Sequence, residues 1–194
     1  MVPNGLRVRE QGQGSESMIR IKDFKGTAME WVQPKFSRRS HELRAGDDAY
    51  ASLAWQKIIG SLAVVESSDD RFTLKRGGFL HPHVTIREEG SMDDLAVFHI
   101  GLLGNGLLEF RDGRRYVVHK LSFWGYSWGF YDEYERLLCT IKKRSTTLKH
   151  RGDVRIERDT RRDRYLLVLL VAGWYAMVMA SEEAASVAAA SASS

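Results

Sequence analysis

Cysteine and proline are scarce in this sequence, whose 194 residues include one cysteine and three prolines. The single Cys139 excludes an internal disulfide framework and a metal site built from several cysteines. It lies in the largely apolar run Leu137–Ile141, so we expect a buried thiol that packs as a small hydrophobic group. The amino-terminal residues contain no apolar stretch of the kind that a secretory signal requires, so no such signal is expected. Stability must therefore come from a hydrophobic core, which one domain of this length can build.

Basic residues outnumber acidic ones only slightly in this sequence. The net charge is +4, with 28% charged and 43% hydrophobic residues, which is ordinary for a globular domain. The mild positive excess favours attraction to anionic surfaces such as phospholipid, and nucleic acid is not an expected partner. Residues 1–18 are rich in Gly, Gln, Ser and charge, and residues 185–194 in Ala and Ser. We expect both segments to be disordered, with Met18 as an alternative start of the protein.

A helical period is missing from residues 29–157, where apolar residues instead recur at every second position. Phe72 and Leu74, for example, alternate with polar neighbours on one strand. Turn-forming segments such as Gly77-Gly78 and Arg111-Asp112-Gly113 interrupt the pattern about every 8–12 residues. The pattern predicts eleven or twelve short strands joined mainly as hairpins, and it argues against a parallel α/β sheet.

Charge is absent from the 16 residues Tyr165–Ala180, which are apolar on every face. Thr160, followed by Asp163, predicts a helix start, and we expect a helix over about 161–182. A helix without a polar face must be buried on all sides, in protein or in lipid. The run spans roughly 24 Å, short of the ~30 Å hydrocarbon core of a bilayer. We therefore predict an all-β domain over 19–184, an antiparallel closed barrel of about twelve strands around a hydrophobic C-terminal helix.

This order of elements resembles the tubby C-terminal-like superfamily, which includes the tubby proteins, the LURP-one-related proteins and the phospholipid scramblases. The resemblance rests on the hairpin series from Glu30-Trp31-Val32-Gln33-Pro34 to Ile156 and on the helix that follows Asp163. It covers about residues 29–184 and implies a twelve-stranded barrel wrapped on a helix. It also implies a non-enzymatic domain that binds a membrane surface, a lipid or a protein. No segment matches the phosphoinositide-binding residues of tubby domains or the calcium-linked acidic segment of scramblases, so no functional residue is carried over.

Basic residues cluster in two neighbouring segments near the end of the predicted barrel. If barrel closure brings the segments to one rim, they form a patch for anionic headgroups, worth about 1 kcal/mol per basic side chain near a charged membrane. Tryptophans near such a rim would then sit at headgroup level. The alternative is that these basic residues form a solvated face without a membrane partner. The expected lipid- or anion-binding residues are Lys142, Lys143, Arg144, Lys149 and Arg151.

Two further motifs are weaker candidates for chemistry. His81 and His83 lie two residues apart, a spacing that can chelate a metal, but we expect them to point to solvent without a third ligand. Ser127 lies in Gly125–Gly129, which spells the nucleophile motif G-x-S-x-G, yet the aromatic residues after it do not predict the required helix. His119 is expected in the core. No cofactor, metal site or catalytic residue is therefore predicted.

The sequence is thus interpreted as a cytoplasmic binding or scaffold domain, peripheral at a membrane, with anionic phospholipid or a protein as partner. One alternative is a tail-anchored membrane protein in which Tyr165–Ala180 is the span. A second alternative is a serine esterase that uses Ser127.

Overall fold

The computed structural model describes residues 18–34, 39–78, 81–101, 105–122, 126–144 and 150–192. It contains twelve β-strands, two short 3₁₀-helices (Ile21–Asp23 and Arg158–Arg162) and one α-helix, α1 (Leu166–Ala192). The strands are β1 (Ala28–Val32), β2 (Ser40–Ala45), β3 (Asp48–Trp55), β4 (Ala63–Ser67), β5 (Arg71–Gly77), β6 (His83–Glu88), β7 (Ala96–Ile100), β8 (Gly106–Phe110), β9 (Arg115–Lys120), β10 (Ser127–Tyr131), β11 (Leu137–Arg144) and β12 (Arg151–Ile156).

Each strand pairs in antiparallel fashion with its neighbours in the sequence, and β12 pairs with β1 to close the barrel. The closing register places Met29 opposite Val154 and Trp31 opposite Gly152. Closure leaves no unpaired strand edge, and inward residues alternate with outward ones along every strand. The predicted closed barrel of about twelve strands around one C-terminal helix is confirmed.

Helix α1 fills the barrel, and its residues Leu166–Val178 are all buried. Trp174 stacks on Trp31 with ring centroids 5.9 Å apart. Two glycines let the helix and the barrel wall approach closely. A Cβ at Gly152 would lie 2.3 Å from the Trp174 ring, and one at Gly173 would lie 2.6 Å from Phe130. Because the apolar helix is enclosed on every side, it is the core of the barrel rather than an appendage to it.

The antiparallel order divides the connections between strands into two sets, one at each end of the barrel. At the helix-entry end, where α1 begins, Tyr165 stacks on Phe110 with ring centroids 3.7 Å apart. At the helix-exit end, Ser181 and the residues after it leave the barrel, next to Arg39 and Lys143. These two names are used below for the two ends.

The helix bounds differ from the predicted 161–182. Arg158–Arg162 forms a 3₁₀-helix instead, and Asp163 rather than Thr160 caps α1 by accepting a hydrogen bond from the Tyr165 amide at 2.8 Å. The helix then continues to Ala192, through most of the segment predicted to be disordered. Alanine has the highest helix propensity, and the buried turns already provide the nucleus, so the Ala/Ser segment extends the helix.

Helix α1 is long and apolar enough to cross a membrane by length and composition, and 72% of its most apolar 18-residue stretch is buried inside the barrel. Cys139 is fully buried, as expected, and burial raises the pKa of its thiol.

Removal of the central helix tests this architecture. A chain that ends at Arg164 should not fold, because each large aliphatic side chain buried in the core contributes about 1.5–3 kcal/mol and total stability is only about 5–15 kcal/mol. A chain that ends at Ala180 keeps every buried helical residue and should fold. Circular dichroism and thermal melting compare the two. A cooperative, β-rich transition for the chain ending at Arg164 would contradict the central role of α1 and favour a tail anchor.

Candidate functional site

The two ends of the barrel differ in the sequence of their connections. By sequence, the six connections between strands at the helix-exit end (33–39, 56–62, 78–82, 101–105, 121–126 and 145–150) contain no Asp or Glu. Each of the five strand connections at the helix-entry end (46–47, 68–70, 89–95, 111–114 and 132–136) contains at least one. The helix-exit end is therefore the end that favours an anionic partner.

Exposed apolar side chains are also concentrated at the helix-exit end. Of the large hydrophobic residues that are exposed in the described part of the chain, two lie at the helix-entry end, Met92 and Tyr134. The others, all at the helix-exit end, are Ile58, Ile59, Leu121, Tyr126 and Val187. Such a grouping of exposed apolar side chains marks an interaction surface more often than single scattered residues do.

Arg39, at the start of β2, organises the helix-exit end. Its Nε atom donates to Glu182 Oε1 at 3.1 Å, and a second guanidinium nitrogen lies 2.5 Å from the other carboxylate oxygen. This two-point contact is the strongest geometry for an ion pair. The remaining nitrogen lies within hydrogen-bonding distance of three carbonyl oxygens of the β3–β4 connection, those of Lys57 (3.2 Å), Ile58 (3.1 Å) and Gly60 (2.9 Å). One side chain thus joins the emerging helix to this connection.

A second contact between α1 and the rim lies at Arg76 on β5. Its side chain forms an ion pair with Glu183, and its backbone amide donates to the Tyr175 hydroxyl at 3.1 Å. Tyr175 in turn donates to the carbonyl oxygen of Ser61 at 2.5 Å. Burial raises the pKa of Tyr175 to about 12, so this hydroxyl stays protonated as a donor at neutral pH. A groove of about 1000 Å³ lies between α1 and these rim residues.

Lys143 and His150 lie beside the Arg39–Glu182 pair at the mouth of the barrel. The Lys143 ammonium donates to Ser181 Oγ and lies 5.3 Å from the centre of the Tyr126 ring. Burial lowers the pKa of Lys143, and the nearby Glu182 carboxylate opposes this shift. Burial and the charge of Lys143 lower the pKa of His150, while Glu182 raises it. At the mouth, the cationic side chains Arg39, Arg76 and Lys143 meet the two carboxylates of Glu182 and Glu183, which leaves one positive charge in excess among these five groups.

His41 lies directly beneath this mouth and is almost completely buried. Its ring packs edge-on against Trp55 and Trp174, with centroids 5.6 Å away in both cases, and 5.8 Å from His150. The pKa of His41 is lowered from 6.5 to about 3, mainly because the ring is buried and secondly because of the charge of His150. Its Nδ1 atom and the indole nitrogens of the tryptophans, Trp31 included, have no partner among the described residues.

The four predicted basic residues that the structure describes, Lys142, Lys143, Arg144 and Arg151, lie at the helix-exit end on the paired strands β11 and β12, but they do not point the same way. Register pairs Lys142 with Asp153, Lys143 with Gly152 and Arg144 with Arg151. Lys143 lies on the inner face beside α1, while Lys142 and Arg144 are exposed on the outer face. Arg144 donates to Asp153 at 2.8 Å, whereas Lys142 and the exposed Arg151 form no ion pair within the part of the chain that the structure describes. Lys149 lies outside the described residues.

His81 and His83 also lie at the helix-exit end, His81 exposed and His83 half-buried on the outward side of β6. His99 lies opposite His83 on β7, with ring centroids 6.4 Å apart. No group of three or more potential metal ligands is found in the described ranges. The expectation that His119 is a core histidine was wrong, because Tyr116 and Val118 take the inward positions of β9 and His119 is exposed.

Ser127 is the first residue of β10, and the chain after it continues as a strand to Tyr131. A nucleophile elbow requires a helix after the serine and a parallel sheet beneath it, whereas β10 pairs in antiparallel fashion with β9 and β11. Gly125 of the motif lies outside the described residues.

Two of the clefts at the helix-entry end, both of mixed charge, share Arg158, Asp159 and Arg162 in their linings. The larger, of about 910 Å³, is lined by arginines and by the carboxylates of Asp132, Glu157, Asp159 and Asp163. Asp132 pairs with Arg136 at 2.6 Å, so much of this charge is internally compensated. The smaller, of about 470 Å³, is lined by Lys22, Phe24, Arg158, Asp159, Arg161 and Arg162. It is the main competing location for an anion and serves as a control below.

The chain matches none of the family models, curated proteins or solved structures with which it was compared.

Sequence reasoning identified Lys143 but missed Arg39, His41 and Glu182 as its neighbours. His41 was detectable, because it shares the inward face of β2 with Leu43. Glu182 is the first charged residue after the apolar run, which marks the point where the helix meets the rim. Neither of these sequence patterns shows which residue on another strand or on the helix each side chain contacts.

The buried His41 predicts a pH-dependent stability. The unfolded chain binds a proton at this residue below about pH 6.5, but the native protein does so only below about pH 3. The free energy of unfolding should therefore fall as pH is lowered from about 6.5. Between about pH 7.5 and about pH 5.5, His41 alone should lower the free energy of unfolding by about 1.4 kcal/mol.

His41→Phe removes this titration while keeping an aromatic ring in place. Urea unfolding at both pH values should show that the variant loses about 1.4 kcal/mol less than the wild type on acidification. An equal loss in both proteins would mean that His41 is protonated in the native state.

Proposed function

We propose that this chain is a non-enzymatic binding domain of the tubby-like type that attaches to the anionic face of a membrane through its helix-exit end. The observation that carries the proposal is the segregation of charge, since acidic residues are absent from every strand connection at that end. This difference in charge between the two ends suits a cytoplasmic protein bound peripherally to a membrane, because the cytoplasmic leaflet is negatively charged.

Three basic side chains at this end are available to such a surface. Lys57, Lys142 and Arg151 are exposed and form no ion pair with any residue that the structure describes. Arg39, Arg76 and Lys143 are instead engaged by the emerging helix. The contribution of each exposed basic residue is about 1 kcal/mol near an anionic bilayer, so attachment by charge alone is weak and reversible.

The position of α1 favours peripheral attachment over a tail anchor. The side chains of Leu166–Val178 are buried against the barrel wall, and a membrane span would need them to face lipid. Their transfer to a bilayer would leave the inner faces of twelve strands without a core, which is a large loss of apolar burial.

Charge reversal at the helix-exit end tests the proposal. In flotation assays, the wild-type chain should bind vesicles of phosphatidylcholine with phosphatidylserine and bind weakly to phosphatidylcholine alone. The combined variant Lys57→Glu, Lys142→Glu and Arg151→Glu should lose at least roughly 100-fold in affinity, because three contributions of about 1 kcal/mol each are removed. Added salt should weaken wild-type binding, since exposed charges lose their reach beyond a Debye length of about 8 Å at physiological ionic strength.

A control with the same change in net charge is placed at the opposite end. Lys25→Glu, Arg158→Glu and Arg162→Glu alter exposed residues at the helix-entry end and should leave binding within a few-fold of the wild type. Loss of binding in this control, with binding retained by the first variant, would assign the anionic surface to the helix-entry end. A wild type that does not bind anionic vesicles at low salt would overturn the proposal.

A further inference from the structure

Two adjacent isoleucines stand exposed on the β3–β4 connection at the helix-exit end. Ile58 and Ile59 have 89% and 88% of their surface accessible to solvent. Transfer of one large aliphatic side chain from water to an apolar phase is favoured by roughly tenfold to a hundredfold. Burial of this exposed pair in an apolar partner would therefore contribute favourable free energy that folding of the chain has not already provided.

The backbone of this connection is held in place from inside the rim. Arg39 contacts its carbonyl oxygens, and the Gln56 amide donates to the Leu62 carbonyl oxygen at 3.0 Å across its base. Gly60, with a φ of +136°, supplies a conformation that side-chain-bearing residues rarely adopt. Three backbone carbonyl oxygens of the connection thus bind Arg39, while the two isoleucine side chains face solvent. An apolar tip fixed in advance loses little conformational freedom when it binds.

The surroundings of the isoleucines indicate what covers them. Lys57 precedes them, is exposed and forms no ion pair with the residues that the structure describes. Leu121, Tyr126 and Val187 add exposed apolar surface at the same end, and no strand connection there contains an acidic residue. A second copy of this end would bring like charges together. An anionic bilayer instead offers negative headgroups for the lysine and an apolar interior for the isoleucines.

We infer that Ile58 and Ile59 insert into the outer part of an anionic lipid bilayer, with Lys57 at the level of the headgroups. This inference rests on the proposed function and names the apolar element that supplements its electrostatic attraction. Arg39 acts as the positioning residue that presents the two side chains. The chain would then have two components of membrane binding, one sensitive to salt and one resistant to it.

Site-specific fluorescence tests insertion directly. The only native thiol, Cys139, is fully buried, so a cysteine introduced by Ile59→Cys can be labelled selectively in the full chain with a polarity-sensitive fluorophore. Vesicles of phosphatidylcholine with phosphatidylserine should shift its emission to the blue, and lipids carrying a quencher in the acyl chain should quench it. The matched control is Met92→Cys, because Met92 is 88% exposed on the acidic 89–95 connection of the opposite end. Its emission should not change.

Affinity measurements on the same vesicles separate the two components. The double variant Ile58→Ser and Ile59→Ser should bind at least roughly 30-fold more weakly than the wild type, and salt should abolish the binding that remains. Met92→Ser should bind as the wild type does. Arg39→Lys should weaken insertion at Ile59 more than it weakens the salt-sensitive component, since Lys cannot span three carbonyl oxygens and a carboxylate together.

The outcomes distinguish this inference from the function on which it rests. Wild-type binding with no emission change at Ile59 and no loss in the double serine variant would overturn insertion and leave electrostatic attachment standing. A wild type that does not bind anionic vesicles overturns both. A wild-type dimer in gel filtration that becomes monomeric in the double serine variant would assign the isoleucines to an interface between copies of the chain, and would overturn insertion as well.

Discussion

The constraint on which this structure depends is the burial of a helix that has no polar face. Leu166–Val178 is apolar throughout, so every side of α1 must be covered. A single sheet or a helical partner covers one or two faces, whereas a closed barrel covers all of them. Twelve strands provide a lumen wide enough for the helix, and Gly152 and Gly173 allow the closest approach where Trp174 and Phe130 meet the opposite surface.

This arrangement makes the two ends of the barrel chemically different. The helix enters beside Asp163, which caps it and accepts a hydrogen bond from Tyr116, in a region of compensated acidic and basic side chains. It leaves beside Arg39, Arg76 and Lys143, where Glu182 and Glu183 on the helix are the acidic partners. Ion pairs thus form at both ends, and the ends differ in their strand connections, which contain acidic residues only at the helix-entry end.

The helix-exit end combines features that act together. Buried groups beneath it, above all His41, stay uncharged because burial and neighbouring cations lower their pKa values. Arg39 links the helix to the connection that carries Ile58 and Ile59, because it contacts both Glu182 and the carbonyl oxygen of Ile58. We propose that this basic surface with its apolar tip serves shallow, reversible attachment to a charged bilayer.

The sequence by itself indicated eleven or twelve strands, a closed barrel and a central helix. The alternating apolar residues of the strands and the apolar run Tyr165–Ala180 are local patterns, formed by residues close together in the chain. Such patterns show directly which side chains will be buried. The sequence also grouped Lys142, Lys143 and Arg144 in one basic segment, but it did not show that they lie on different faces of the barrel wall. Only the tertiary structure decided that Arg39 meets Glu182, 143 positions away, because that contact exists only once register and closure set every strand around the helix.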